Sequence, residues 1–404
     1  MSWPKGKPRK VAAVLESPVT VEPEAPKFIT FGKPDIGHAE IDAVDNVLRS
    51  GWLGSGPVVK QFEEEFETYM GSGHAVALSS ATMGLMLSMA VTNIGDGTEI
   101  VTSPLTFPAT INAILAMRVK PILVDVDEHG NLDANKIKPI LMNREHKIRG
   151  LMPIHYGGAS ADMRELMHLA NVHDLKMIED AAHAFGSEFV GPSDGQKPGS
   201  RQKIGTIGDL TVFSFYPTKN ITSGEGGMVM SKHADLAERI RTLSNQGLSS
   251  GAWGRYGKGP ITNYEVVHPG YKGNMSDIHA AIGLTQLRRW PELLAKRTKV
   301  WNIYEDAFGW REPGHSKSLF MLRVKDREAF RQRMYEAGIG TGIHYNPVHL
   351  EPGFRFLGYK LGDFPNAERI GLSTVSLPVS STMTTEDAER VVKEAKKWAG
   401  EARV

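Results

Sequence analysis

Short apolar runs alternate with amphipathic stretches from about residue 28 to residue 290. Between most of these runs, apolar residues recur with helical spacing, as at residues 82–91, 133–143 and 163–173. Such alternation is typical of βαβ units and predicts an α/β fold, a mostly parallel seven-stranded sheet sandwiched by helices. The strands are predicted at residues 74–79, 99–103, 121–125, 150–155, 176–179, 211–215 and 227–231.

The pattern changes after Pro291. A long helix at 292–308, a strand at 318–324, a helix at 327–336 and a last amphipathic helix at 386–399 are predicted there, with Thr384 and Thr385 as N-cap candidates. We therefore expect a large domain over residues 28–290 and a smaller C-terminal α+β domain over residues 291–404. Residues 1–27 contain five prolines and little apolar periodicity, which predicts a flexible lead-in.

Composition excludes several classes of function. Lys and Arg number 47 and Asp and Glu 46, so the net charge of +1 gives no field that attracts nucleic acid or an anionic membrane. No apolar run approaches the roughly 18 residues that span a bilayer. The absence of cysteine removes disulfides, thiol nucleophiles and thiolate metal sites, and the fourteen histidines include no HExxH motif, so no metal site is predicted. We expect a cytoplasmic protein.

Three predicted strands end close to residues that could act in catalysis or bind a ligand. Asp180 directly follows an apolar strand, where a buried carboxylate is costly unless it has a cationic partner. Lys219 follows the strand at 211–215, where partial desolvation lowers the pKa of a lysine and makes its amine nucleophilic. At residues 79–82 a strand passes into a helix, whose free amides suit a phosphate. Parallel sheets bind ligands beyond the carboxyl ends of their strands.

A buried acid, a nucleophilic lysine and a phosphate cup are the three demands of pyridoxal 5′-phosphate. The ring nitrogen of this cofactor needs an acid that keeps it protonated, its aldehyde needs an amine, and its phosphate needs donors. Phe107 lies just past another strand end, where an aromatic ring can stack on a pyridine face. Each residue alone has an ordinary explanation as a turn, cap or core residue. Their combination on strand ends of one sheet predicts the cofactor.

Blocks of sequence in a fixed order extend this prediction. They lie at residues 50–57 (SGWLGSGP), 104–110 (PLTFPAT), 153–158 (PIHYGG), 179–184 (EDAAHA), 213–220 (FSFYPTKN), 224–227 (GEGG), 274–278 (NMSDI) and 344–345 (HY). Together they resemble the DegT/DnrJ/EryC1/StrS family of sugar aminotransferases, over about residues 28–392. The resemblance implies a fold-type-I pyridoxal-phosphate enzyme.

The resemblance also implies roles for single residues. Lys219 would hold the cofactor as a Schiff base and afterwards shuttle protons, while Asp180 would pair with the pyridinium nitrogen. His183 would lie near the ring hydroxyl, and Phe107 would be the stacking aromatic. Related sugar dehydratases carry histidine in place of this lysine, so Lys219 favours transamination.

Further implied contacts concern the phosphate. Ala81, Thr82 and Ser214 would bind it, and Asn274 would reach the phosphate in the neighbouring subunit, which implies a homodimer with shared active sites. Two residues depart from the family pattern. Ala81 stands where glycine is usual, so the backbone there must tolerate a Cβ. Gly273 stands where a bulky residue is common, which would widen the substrate entrance or loosen the loop that meets the partner.

These implications predict a reaction. We expect an aminotransferase that moves an amino group from an amino acid, usually L-glutamate, to a nucleotide-linked keto-deoxy-sugar, at C4 rather than C3. His155, His344 and Tyr345 are expected to line the sugar side, although a structural role near the domain junction explains them equally well. Two alternatives stay open: a cyclitol or other non-nucleotide ketone as acceptor, and a regulatory or binding protein without catalysis. The segment at 197–205 receives no role.

Overall fold

The computed structural model describes residues 27–143, 145–192, 199–249 and 264–398. The predicted lead-in lies outside these ranges except for its last residue, as do residues 197 and 198 of the segment at 197–205. The helices of the described part are α1 (His38–Ser50), α2 (Pro57–Met70), α3 (Ala81–Val91), α4 (Pro108–Ala116), α5 (Ala134–Met142), α6 (Met163–Val172), α7 (Ala234–Ser244), α8 (Asp277–Phe308), α9 (Arg327–Glu336), α10 (Pro365–Ser373) and α11 (Thr385–Trp398). The strands are β1 (His74–Leu78), β2 (Glu99–Thr102), β3 (Lys120–Leu123), β4 (Ile148–Met152), β5 (Lys176–Asp180), β6 (Glu188–Val190), β7 (Arg201–Lys203), β8 (Leu210–Ser214), β9 (Gly227–Ser231), β10 (Phe320–Arg323) and β11 (Thr374–Leu377).

Seven of the described strands form one sheet in the order β1-β9-β8-β5-β4-β2-β3. The strands from β8 to β3 pair in parallel, whereas β9 runs antiparallel to both of its neighbours, β8 and β1. β1 therefore points the same way as the parallel strands. These are the seven strands predicted from the apolar runs, so the α/β class and the mostly parallel sheet are confirmed.

The sheet is buried on both faces, which explains why its strands read as continuous apolar runs. Successive side chains of a strand point to opposite faces. Met177 and Phe213 join the core that contains α2 and α6, whereas their neighbours Ile178 and Val212 join the core that contains α3 and α4. Helices cover both faces, so a ligand can reach the sheet only at the ends of its strands.

The C-terminal part has its own core. β10 and β11 form an antiparallel pair, and a cluster around Trp301, Phe320 and Val375 packs this pair against α8, α9 and α11. The predicted helix start at 292 is wrong, because α8 begins at Asp277 and continues through Pro291. The division at residues 290 and 291 thus falls inside a helix and stays a prediction.

Two smaller features complete the fold. Thr384 caps α11 as predicted, since its Oγ1 accepts the N–H of Asp387 at 3.1 Å and the Asp387 carboxylate accepts the N–H of Thr384. β6 and β7 pair antiparallel, and β7 belongs to the segment at 197–205. Within the described ranges, no helix is long and apolar enough to cross a membrane.

Candidate active site

The carboxyl ends of the parallel strands open onto one edge of the sheet. β1 leads into α3 with Thr82 in its first turn, and β2 leads to Phe107, the N-cap of α4. β5 ends at Asp180, and β8 ends at Ser214, shortly before Lys219. Because these strands point the same way, the structure places all five residues along one edge, where ligands of such sheets bind.

Asp180 is a buried acid held by two hydrogen bonds. Its Oδ2 accepts the hydroxyl of Thr110 at 2.7 Å, and its Oδ1 accepts the N–H of Ala182 at 3.2 Å. Burial raises the pKa of Asp180 above its usual value, against the opposing effect of these hydrogen bonds and of the Lys219 charge. The carboxyl is therefore suited to share a proton with a buried basic nitrogen.

Lys219 provides an activated amine. The backbone N–H of Lys219 donates to the carbonyl of Tyr216 at 2.9 Å, which closes the turn after β8. The backbone N–H of Tyr216 reaches Ser214 Oγ at 3.4 Å. Burial lowers the pKa of Lys219 to about 8, and the charge of Asp180 offsets this only in part. At pH 7 roughly one in ten such amines is neutral and nucleophilic, compared with fewer than about one in a thousand for an ordinary lysine.

The start of α3 forms a cup of backbone donors. Ser80 is the N-cap, and its Oγ accepts the N–H of Met83 at 3.1 Å, which leaves the amides of Ala81 and Thr82 without an intrahelical acceptor. A Cβ on Gly227 would come within 2.6 Å of the Ala81 nitrogen, so a larger residue there would crowd this amide. Ala81 is not among the residues with positive φ, so the helix tolerates its Cβ.

Aromatic and imidazole rings cover one side of this edge. The Tyr345 ring centroid lies 5.8 Å from that of Phe107 and 5.8 Å from that of His183, and the His344 centroid lies 5.6 Å from His183. His344 Nδ1 lies 2.8 Å from the hydroxyl of Ser376. Phe107 is 58% exposed, so a face of its ring remains open to a planar ligand.

The imidazoles in this cluster are neutral. Burial holds the pKa of His183 well below its usual value, with the Lys219 charge as a further cause. Burial likewise lowers the pKa of His344 to about 3. The pKa of the Tyr345 phenol is raised well above its usual value by burial, so the phenol stays protonated, and its oxygen lies 2.9 Å from Nε2 of His183.

His155 occupies a different environment from His344 and Tyr345. Its Nε2 lies 2.9 Å from the carboxylate of Glu179, and its Nδ1 accepts the N–H of Ala161 at 3.2 Å. The side chain is fully buried, so it offers no free face to a sugar. Burial pushes the pKa of Glu179 up, but hydrogen bonds, first that from His155, hold it below its usual value. His155 thus lies beneath the strand ends as a structural partner.

Asn274 lies beside the end of β1 in its own chain. The backbone of Asn274 forms a bridge with Leu78, and its side-chain amide donates to Ser55 Oγ at 2.5 Å. Its Oδ1 accepts Lys272 Nζ at 2.5 Å. A cleft of about 680 Å³ borders Ser55 and Asn274. The residue is therefore placed at an open surface near the cup of α3.

The structure explains the glycine at position 273. A Cβ on Gly273 would lie 2.5 Å from Cγ and 3.0 Å from Sδ of Met83, in the first turns of α3. Met83 thus fills the space that a side chain at 273 would need. The N–H of Ser79 also donates to the Gly273 carbonyl at 2.7 Å, which ties this loop to the end of β1. The glycine at position 273 therefore allows Met83 to pack against this loop.

We expect the G273A substitution to destabilise the protein by about 1–3 kcal/mol, because an inserted methyl group forces Met83 from its position. Thermal unfolding of G273A and the wild type measures this difference. The matched control is G273A in a Met83→Ala background, where the clash is absent and the added cost should shrink. Equal melting temperatures for G273A and the wild type would show that Met83 yields freely.

Sequence reasoning missed two residues of the site. Thr110 donates to Asp180, and Thr106 lies 2.7 Å from the Thr110 hydroxyl. Both belong to the block at 104–110, in which only Phe107 received a role. A signal was present: Thr110 is three residues after the N-cap Phe107, so the two lie about one helical turn apart at the same strand end. The partner, Asp180, is 70 residues away in sequence.

These residues fit pyridoxal 5′-phosphate on structural grounds. The Lys219 amine has the lowered pKa that covalent attachment to an aldehyde needs, and Asp180 is a buried acid for a ring nitrogen. The cup at Thr82 is kept accessible by the missing side chain of Gly227, and Phe107 presents an open ring face.

Comparison with known proteins agrees with this fit. The model of the DegT/DnrJ/EryC1/StrS aminotransferase family matches residues 34–396. The spore coat polysaccharide biosynthesis protein SpsC of Bacillus subtilis is 39% identical over 91% of this chain and 96% of its own.

Solved structures share the fold. The PLP-form of Spr1654 from Streptococcus pneumoniae is 28% identical, covers 92% of this chain and 98% of its own, and has a TM-score of 0.81. DesI, solved in the presence of its TDP-sugar product, is 27% identical over 93% of this chain and 94% of its own, with a TM-score of 0.77. The predicted fold type, cofactor and enzyme class are confirmed. The chain belongs to the DegT/DnrJ/EryC1/StrS aminotransferase family and is a pyridoxal-phosphate-dependent aminotransferase.

Proposed function

We propose that this enzyme moves the amino group of L-glutamate to C4 of a nucleotide-linked keto-deoxy-sugar. The observation that carries the proposal is the buried Lys219 amine, whose pKa of about 8 and coupling to Asp180 suit proton transfer at neutral pH. A lysine with a pKa near the working pH can both accept and return a proton, and transamination requires both directions.

In this proposal each residue of the strand edge has one task. When bound, pyridoxal 5′-phosphate supplies the electron sink that stabilises negative charge at the donor's α-carbon. Lys219 holds the group covalently, and its released Nζ carries the proton between carbons. Asp180 keeps a proton at the ring nitrogen, and Phe107 supports the ring face. His183, held neutral by burial and by the Lys219 charge, would lie near the ring hydroxyl.

The phosphate contacts belong to the same proposal. The backbone amides of Ala81 and Thr82 with the hydroxyls of Thr82 and Ser214 anchor the phosphate, and the dipole of α3 favours its negative charge. Asn274 serves the phosphate of a second copy of the chain, which makes a homodimer the active unit. The open cleft beside Asn274 supports this assignment, because it leaves room for a partner segment.

Names of relatives support the choice of acceptor. DesI is described with a TDP-sugar product, and SpsC is named for polysaccharide biosynthesis. A nucleotide-linked sugar is therefore the acceptor class that we propose for this chain, in the cytoplasm. We assign His344 and Tyr345 to the sugar side, since they lie beside Phe107 and His183 at the mouth of the site.

The Y345F substitution is expected to raise the KM for the sugar about three- to tenfold, because in this proposal the Tyr345 hydroxyl also binds the sugar, and one such neutral hydrogen bond contributes about 1 kcal/mol. Steady-state kinetics with the sugar and glutamate varied in turn measures this, and the KM for glutamate should change less. The control is Y335F, which removes the hydroxyl of an exposed tyrosine outside the site. An unchanged sugar KM in Y345F would remove Tyr345 from the sugar side.

The proposed reaction is tested by supplying L-glutamate with a panel of ketones. The panel contains nucleotide-linked 4-keto- and 3-keto-deoxy-sugars and a keto-cyclitol, and the products are followed by mass spectrometry and by release of 2-oxoglutarate. Amination of a 4-keto sugar alone is the expected result. Exclusive amination of a 3-keto sugar would overturn the position, and amination of the cyclitol alone would overturn the substrate class.

A further inference from the structure

Two buried threonine hydroxyls form a chain that ends on Asp180. Thr106 Oγ1 lies 2.7 Å from Thr110 Oγ1, and Thr110 Oγ1 lies 2.7 Å from Asp180 Oδ2. All three side chains are buried, with 1% of Thr106 and 1% of Thr110 exposed. These hydrogen-bonded hydroxyls approach Asp180 from the loop before α4 and from its first turn, where Phe107 is the N-cap. The established family membership assigns neither threonine a role.

The chemistry of hydroxyl groups gives this chain a direction. A hydroxyl has one proton to donate, and an ionised carboxylate can only accept. When Asp180 is ionised, Thr110 therefore gives its proton to Oδ2 and must accept from Thr106. The donors then point one way, from Thr106 through Thr110 to Asp180, and each bond polarises the next. A protonated Asp180 has no need of a donor at Oδ2, so this order favours the ionised carboxylate.

The arrangement differs from that of three other helical threonines in the described part of the chain. Thr68, Thr285 and Thr298 each donate to the carbonyl of the residue four positions earlier, at 2.8–2.9 Å. This local bond is the usual way for a threonine inside a helix to satisfy its hydroxyl. Thr110 instead reaches across to the end of β5.

We propose that Thr106 and Thr110 are positioning residues that orient Asp180 and hold its carboxylate ionised for the ring nitrogen of the cofactor. The proposal rests on the role proposed above for Asp180. The proton between this carboxylate and the ring nitrogen can lie on either partner. A donor at Oδ2 lowers the basicity of the carboxylate and so keeps the proton on the nitrogen, where it strengthens the electron sink.

Burial makes the two hydroxyls matter. Burial raises the pKa of Asp180, and the Thr110 hydrogen bond is the first effect that opposes the rise, ahead of the Ala182 amide and the Lys219 charge. The other groups whose charge acts on Asp180 are Lys219 and His155, and Asp180 in turn acts on Tyr345. All of these remain in place when Thr110 alone is changed, so a substitution at 110 isolates the hydroxyl.

The test compares T110V, T110S and T106V in the full chain. Valine keeps the shape of threonine without its hydroxyl, whereas serine keeps the hydroxyl. The first readout is the dissociation constant of pyridoxal 5′-phosphate from the apoprotein. The second is the pH midpoint of the visible band of the lysine-bound cofactor. T298V, which loses only a local helix bond, is the matched control.

We expect T110V to weaken cofactor binding about tenfold and to move the pH midpoint upward, because the ring nitrogen loses positive charge. T110S should restore both values, and T106V should shift them in the same direction by less. T298V should leave both unchanged. If T110V folds poorly, the test is a smaller shift of both values in T106V together with wild-type values in T110S.

If T110V keeps the wild-type cofactor affinity and the wild-type pH midpoint, the positioning role of Thr106 and Thr110 is overturned. Equal changes in T110V and T298V would overturn it too, because they would show a general effect on packing. Failure of the proposed function looks different. If the wild type forms a visible band but aminates no ketone, the proposed acceptor is wrong. The positioning role of Thr106 and Thr110 is then still decided by the cofactor affinities and pH midpoints of these variants.

Discussion

Replacing Lys219 by alanine is expected to abolish transamination, with a loss of about ten-thousandfold or more in kcat. The substitution removes the amine whose pKa burial lowers to about 8, so both covalent attachment and proton transfer are lost. The K219R substitution should fail equally, because a guanidinium keeps the charge but does not deprotonate in proteins. Single-turnover kinetics with saturating cofactor and glutamate measures the loss.

The control for this prediction is K397A, which removes an exposed lysine that pairs with Glu394 on the surface of α11. Its activity and visible band should match those of the wild type. A K219A protein that retained a lysine-bound visible band, or more than about one per cent of the wild-type rate, would show that another amine holds the cofactor.

The D180N substitution is expected to lower kcat about two-hundredfold to five-thousandfold. Asparagine keeps the shape of Asp180, and its one amide oxygen can still accept the Thr110 hydroxyl, but its NH2 group cannot accept the Ala182 N–H. It also cannot hold a proton on the ring nitrogen. Loss of one partner of a buried charged pair costs about 3–5 kcal/mol, which corresponds to this range. The measurement is kcat with glutamate saturating, and a D180E variant shows how far position alone matters.

The stability of the apoprotein separates this effect from misfolding. The pKa of Asp180 is raised in the folded protein, so folding is favoured while the carboxyl is protonated and is opposed as pH rises above its unfolded pKa. At neutral pH apo D180N gains from removal of the buried charge but loses the acceptor of the Ala182 N–H, so it should melt within a few degrees of the wild type. The gain should vanish below about pH 3, where the carboxyl is protonated in both states. A much lower melting temperature of D180N at neutral pH would show that its loss of activity comes from misfolding.

The sheet was predictable because each of its buried strands is marked by a run of neighbouring apolar residues in the sequence. A strand buried on both faces is mostly apolar, as at Met177 and Ile178, and such runs marked all seven strands of the main sheet. Helix ends with side-chain caps were also predictable, as at Thr384. The start of α8 was missed, because Pro291 indicates a helix start, yet here it lies in a helix interior.

Residues of the site were predictable where a strand end met a distinctive side chain. Asp180 and Lys219 are of this kind, because an acid at the end of a buried strand, or an amine shortly after one, demands an explanation. Thr110 carries no such mark, since threonine is common in helices and its partner lies on another strand. The burial of His155 was likewise hidden, because its pairing with Glu179 depends on the packing of β4 against β5.

The central claim is that Lys219 carries the cofactor and that L-glutamate converts it. The most direct measurement is the visible absorption spectrum of the cofactor-loaded protein while L-glutamate is titrated in, with K219A as the reference. The account predicts a visible band in the wild type that is absent from K219A and bleaches as glutamate is added. A band that ignores glutamate, or one that is identical in K219A, would contradict the account.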